Sequence, residues 1–378
     1  MSLATPPLSL YVHFPWCVRK CPYCDFNSHP LQGELPESSY IARLLDDLAA
    51  DVEWMGVRPL QTIFLGGGTP SLVSSEAIAA LLEGIARILP ASAIREVTLE
   101  ANPGAVDRAR FRGYREAGVT RISIGAQSFN AEHLHVLGRI HSPDDTLRAV
   151  DAARAAGFDG MNLDLMHGLP HQRVEDAMAD IERALALEPS HLSWYQLTLE
   201  PKTEFGARPP PLPDEDTLAD IEERGLSRLR EAGFHRYEVS AFARPGAEAR
   251  HNLNYWQFGD YLGIGAGAHG KVTFTGSNEI VRTAKPAQPR RYLMGSASAL
   301  RCSAPVAADA RPGEFLLNAL RLVDGVPEDL FRQRTGVDLE HIRVPRDRMT
   351  ALGLLRADRL GVTPLGLRHL DTVVGAFL

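Results

Sequence analysis

Three of the four cysteines in this chain, Cys17, Cys21 and Cys24, fall within eight positions in the stretch HFPWCVRKCPYCDFNSH (13–29). Thiolates are soft ligands that suit zinc, copper(I) or the iron of iron–sulfur clusters. A structural zinc site takes four protein ligands, commonly as two paired knuckles; the second pair is missing here, so His13 or His29 would have to complete it. A [4Fe–4S] cluster normally takes one cysteine per iron, and three cysteines leave one iron open to another ligand. Further polar groups stand at the ends of apolar runs: GGGTP (66–70) with Gly67, Gly68 and Thr69, then Glu100 in LEANP, Gln127 in GAQSF, Arg139 in LGRIH and Asp164 in NLDLMHGLP. Taken alone, GGGTP reads as a tight strand-to-helix turn, and each polar residue as a buried polar group or an ion-pair partner.

Six apolar runs deliver these groups: LSLYVHF (8–14), QTIFLGG (61–67), EVTLEAN (96–102), TRISIGAQ (120–127), GMNLDLMHG (160–168) and HLSWYQLTLE (191–200). Intervening segments such as 39–55, 75–89 and 174–187 repeat apolar residues at i, i+3, i+4 and i+7, as amphipathic helices do. Six βα units predict a parallel sheet with right-handed crossovers. The polar and glycine positions sit at the C-terminal ends of many strands rather than at one switch point, so the expected fold is α/β, a partial (β/α)6 barrel. Residues 1–235 would form that barrel with the cysteine loop, and 236–304 an extension carrying HNLNYW (251–256). Residues 305–378 would form a small helical, winged-helix-like domain.

Composition narrows the classes. Apolar residues at 44% and charged residues at 23% are ordinary for a globular chain, and a net charge of -7 leaves no basic footprint for nucleic acid. The C-terminal module balances ten arginines with ten acidic residues, which argues against DNA binding despite its winged look. No apolar run reaches the length of a membrane span, and MSLATPPLSL lacks the basic and apolar regions of a secretory signal. A cytoplasmic setting with reduced thiols is therefore expected. Cys302 reads as a small buried hydrophobe. GAGAHG (265–270) fits G-x-G-x-x-G, but the strand-like KVTFTG follows it, so the helix terminus that a dinucleotide needs is missing.

Cys-x3-Cys-x2-Cys directly after a first strand resembles the signature of the radical S-adenosylmethionine superfamily. In that family the open iron chelates the amino and carboxylate groups of S-adenosylmethionine, and an electron from the reduced cluster cleaves the sulfonium to a 5′-deoxyadenosyl radical. GGGTP resembles the superfamily's glycine-rich second-strand motif, and the order of the later polar residues is similar to that of oxygen-independent coproporphyrinogen III oxidases. That resemblance implies Cys17, Cys21 and Cys24 as cluster ligands. It implies Tyr11, Tyr23, Gly67, Gly68, Thr69, Glu100, Gln127, Arg139 and Asp164 as cofactor contacts.

The oxidases carry another cysteine two residues after the third, where this chain has Phe26. HNLNYW instead matches the H-N-x-x-Y-W motif of HemW-type haem chaperones, which are similar in fold and cluster but are not decarboxylases. The resemblance then implies a haem-binding chaperone with a [4Fe–4S] cluster and S-adenosylmethionine, and haem as cargo. Its partners would be an electron donor and haem-recipient respiratory proteins. His251 is the expected haem contact, with an imidazole for iron and neighbouring aromatic rings for the macrocycle; His269 is the second candidate. The alternative is the oxidase itself, converting coproporphyrinogen III to protoporphyrinogen IX by radical oxidative decarboxylation.

Overall fold

The computed structural model describes residues 2–296 and 299–378. The six apolar runs form strands β1 (Leu8–Phe14), β2 (Leu60–Gly67), β3 (Glu96–Ala101), β4 (Arg121–Gln127), β5 (Gly160–His167) and β6 (His191–Gln196). Each pairs in parallel with the next. Downstream lie β7 (His235–Glu238), β8 (Ala241–Ala243), β9 (Asp260–Ile264), β10 (His269–Phe274), β11 (Glu279–Ala284) and β12 (Cys302–Pro305). Together they make one described sheet in the order β12-β11-β10-β9-β1-β2-β3-β4-β5-β6-β8-β7. The sheet is α/β and mostly parallel, open at both edges, with antiparallel strands beyond β6 and β9.

The parallel stretch has seven strands rather than six, because β9 pairs in parallel with β1 on the side away from β2. Crossover helices cover the sheet. Helix α1 (Glu37–Met55) buries Tyr40, Ile41, Leu44, Leu48 and Val52 on one stripe. Helix α2 (Ser75–Ile88) starts at Ser74, whose side chain accepts the Ala77 N–H, and α3 (Pro143–Ala156) starts with a capping box of Ser142 and Asp145. Helix α4 (Val174–Ala186) buries Ala177, Ile181 and Ala184. These faces and one face of each strand, at alternate positions such as Leu10, Val12, Leu99, Ile124 and Leu163, make one large apolar core.

Helix α5 (Arg250–Trp256) carries HNLNYW and packs against β1, β2 and β9. Its first N–H groups, those of Arg250 and His251, donate to the Glu96 carboxylate at 3.0 and 3.1 Å. Asn254 donates to Ser9 Oγ at 2.8 Å and to the Asp260 carbonyl at 2.9 Å. The segment after β11 is pinned to α1 by buried charge: Lys285 meets Asp47 and Asp51, Arg301 meets Asp51, and the Tyr292 hydroxyl donates to Asp47.

Beyond residue 305, helices α6 (Arg311–Ala319), α7 (Glu328–Thr335) and α8 (Arg343–Ala351) bury Phe315, Phe331 and Met349 in a second core that also takes in Phe258 and Ile280. The wing is reduced to antiparallel bridges, Val326 with Leu360 and Leu355 with Val362. Cys302 is exposed on the edge strand β12, not buried as its residue type suggested. A strand does follow GAGAHG. Among the described residues no helix is long and apolar enough to cross a membrane.

Candidate functional site

The cysteine loop leaves β1 and is held by a short parallel pair, Trp16–Cys17 with His29–Pro30. GGGTP is laced to it: the Gly68 N–H donates to the Phe14 carbonyl at 2.7 Å and the Thr69 N–H to the Trp16 carbonyl at 2.8 Å. Only glycine fits at 68, because a Cβ there would lie 2.5 Å from the Trp16 carbonyl oxygen. On its other side, Asn27 donates to the carbonyls of Ala266 and Ala287 at 2.9 and 2.8 Å.

Cys17, Cys21 and Cys24 line one cavity of about 470 Å³ together with Tyr23, Gly67, Gly68, Thr69, Glu100, Gln127, Arg139 and Asp164. Arg139 Nη1 lies 3.9 Å from Cys21 Sγ, and its Nη2 donates to the Gly125 carbonyl at 2.9 Å. A Cβ at Gly125 would stand 3.0 Å from Gln127 Nε2 and 3.2 Å from that guanidinium, so both side chains would have to shift by a few tenths of an ångström. Gln127 ends β4 in the left-handed region at φ 65°, a costly conformation for a non-glycine residue and one that often marks a functional position. Burial pushes the Cys17 and Cys24 thiols up, so a metal would have to displace their protons.

The two carboxyls face this cavity from half-buried positions. Burial, then the neighbouring Asp164, push the Glu100 pKa from 4.5 to about 8, against one opposing contact, the Gly67 N–H at 3.1 Å. Asp164 is likewise raised by burial, and is held by Ser123 Oγ at 3.1 Å and Asn162 Nδ2 at 2.7 Å. Two under-compensated carboxyls beside an arginine form a donor set for a ligand carrying hydroxyls, a cation and a carboxylate. Arg139 Nε, buried with no partner among the described residues, leaves a donor to spare. These features fit S-adenosylmethionine beside an iron–sulfur cluster. The zinc alternative fits less well. His13 is engaged by Tyr11 at 2.9 Å and the Asn27 carbonyl at 2.8 Å, and His29 contacts Asn27 Oδ1. No three His, Cys, Asp or Glu side chains converge on a single-ion site among the described residues.

Two residues fall elsewhere. Tyr11 lies on the far side of Glu100 and Gly67, lining a second cavity of about 620 Å³. His251 lines neither cavity. It is 1% exposed, its Nδ1 sits 2.8 Å from Thr62 Oγ1, and its ring packs on Phe64 and Tyr255. Burial lowers its pKa to about 3. The structure thus places His251 in the core, with its Nε2 buried and without a hydrogen-bond partner among the described residues. Conversely, the sequence reading passed over Tyr195, at the end of β6, whose hydroxyl donates to Gln127 Oε1 at 2.8 Å inside the first cavity. Its signal was only its place at the C-terminal end of a strand.

Fold and site together define a radical S-adenosylmethionine protein: that superfamily's model matches residues 11–184, and the HemN C-terminal domain model matches 306–369. The solved structure of coproporphyrinogen III oxidase (HemN) from Escherichia coli has the same fold, with a TM-score of 0.82 at 22% identity over 99% of this chain and 90% of that one. Heme chaperone HemW of Escherichia coli (strain K12) is 51% identical over 99% of this chain and 98% of its own length. HemW of Haemophilus influenzae is 47% identical over 99% and 98%, and that of Bacillus subtilis 35% over 98% and 99%. The chain belongs to the HemW family of the radical S-adenosylmethionine superfamily.

Proposed function

We propose that this protein is a haem chaperone that carries a [4Fe–4S] cluster and S-adenosylmethionine and passes haem to recipient proteins such as respiratory enzymes. The observation that carries the reading is the 51% identity to a curated heme chaperone across essentially the whole of both chains. Phe26, in place of the fourth cysteine that the resemblance gives the oxidases, points the same way.

In this reading Cys17, Cys21 and Cys24, which line the cavity, would hold three irons of the cluster and leave one without a protein thiolate. The cluster, when bound, supplies a low-potential electron at that open corner. Around it the chain's own groups do the positioning. Arg139 steadies Cys21 and pairs with a carboxylate. Glu100 and Asp164 accept hydroxyl and ammonium protons, and Tyr195 fixes the Gln127 amide that faces the ligand. Thr69, Gly67 and Gly68 bring backbone close to the cofactor, and Tyr23 closes the wall against Phe205, 6.5 Å between ring centroids. Pro22 ties that wall down by accepting the Phe205 N–H at 3.0 Å.

The test is anaerobic reconstitution with ferrous iron and sulfide, followed by haem titration and transfer to a haem-free recipient enzyme. Stoichiometric haem uptake and recipient activation without porphyrin turnover are expected. Conversion of coproporphyrinogen III to a vinyl porphyrin would overturn the chaperone reading.

A further inference from the structure

We infer that the haem cargo occupies the second cavity and that His269 is its iron ligand; the inference rests on the chaperone reading and names the site for it. The cavity, about 620 Å³, lies within the size range of cofactor pockets. Its wall is aromatic: Tyr255, Trp256 and Tyr261 line it, the two tyrosines edge to face at 4.5 Å. Flat rings at several angles give a macrocycle apolar surface on more than one side. Trp256 Nε1 is buried with no hydrogen-bond partner among the described residues.

Three histidines stand near this cavity, and geometry separates them. His13 has both ring nitrogens engaged, and His251 is enclosed beneath the aromatic wall. His269 lines the cavity, is exposed, and has no side-chain hydrogen-bond partner among the described residues. An imidazole with a free nitrogen facing an aromatic pocket is a haem iron ligand in kind.

GAGAHG, which has no role as a dinucleotide loop, sets that position. Gly265 (φ 105°) and Gly267 (φ 81°) take backbone conformations that other residues avoid. A Cβ at Gly265 would meet the His13 carbonyl oxygen at 2.4 Å, and one at Gly267 would meet Asn27 Nδ2 at 2.2 Å. The turn is thereby pressed onto the cysteine loop, and β10 begins with His269 at the cavity's edge. At the other end Arg282, bonded to Glu314 and to the Tyr261 hydroxyl at 2.9 Å, is about one-third exposed. It offers a guanidinium to propionate carboxylates. Asp25, Phe26, Gly67 and Glu100 line both cavities, so the cargo and the S-adenosylmethionine site share one wall.

Ferric haem titrated into anaerobically reconstituted full-length protein, followed at the Soret band, tests this. His269→Ala should weaken binding at least about tenfold. His269→Tyr should retain haem but shift the band and add a phenolate charge-transfer absorption, a signature that a merely neighbouring residue cannot produce. Arg282→Ala should weaken binding and leave the band where it is. If both His269 variants titrate with wild-type affinity and spectrum, the site is overturned while the chaperone reading stands. If the wild-type protein shows no saturable haem uptake, the chaperone reading fails and the site falls with it.

Discussion

Glu100 should make the stability of the protein without S-adenosylmethionine fall as pH rises. Its carboxyl is half-buried in the cavity wall, and desolvation followed by the Asp164 charge lifts the pKa from 4.5 to about 8. An unfolded chain would release this proton near 4.5, so between the two values the folded state holds more protons than the unfolded one. The contribution is therefore intact below the lower value and lost progressively toward the upper, opposite in sign to an ion-paired carboxylate. At about 1.4 kcal/mol per pH unit, the step from pH 6 to pH 8 removes about 2–3 kcal/mol. Glu100→Gln keeps the shape of the neutral acid and cannot ionise. In urea unfolding of cluster-loaded protein at pH 6, 7 and 8, the variant should gain on the wild type by about that amount across the range. Adding S-adenosylmethionine should flatten the wild-type curve, because a cationic ligand stabilises the ionised carboxylate. Curves for variant and wild type that stay parallel from pH 6 to 8 would refute the picture of a desolvated, under-compensated carboxyl.

Cys21→Ser should abolish iron retention and brown colour after reconstitution, read by iron content and visible absorption. Tyr195→Phe removes the hydroxyl that holds Gln127; a loss of about 1 kcal/mol should weaken S-adenosylmethionine binding several-fold, measured by calorimetry, with cluster absorption unchanged. Lys285→Met strips Asp47 and Asp51 of their buried ammonium partner. It should cost about 3–5 kcal/mol in denaturant unfolding at pH 7. Part of that should return at pH 5, because burial already raises the Asp47 pKa and favours its protonation.

What could be read from the sequence separates from what could not along the reach of the interactions involved. The six βα units were legible because strand and helix periodicities are local, and the rim residues because a strand's end is marked where its apolar run stops. Depth was harder to read. Tyr11 and His13 share a strand face, but Tyr11 stands three residues before the end of β1. At about 3.3 Å per residue that is about 10 Å below the rim, enough to put its ring behind Glu100 rather than beside the cysteines. The seventh parallel strand, Asp260–Ile264, was missed because five residues ending against a glycine turn carry little pattern, and its partner is the first strand of the chain. Cys302 shows the converse: residue type favours burial, but an edge strand that is exposed along its whole length leaves the thiol open. His251 likewise depends on long-range contacts. Its ring meets Thr62, 189 positions away, and packs on Phe64, so nothing near HNLNYW could distinguish a core imidazole from a metal ligand. The motif could therefore suggest haem chemistry through resemblance, whereas it takes the folded chain to show that His251 is enclosed and His269 open.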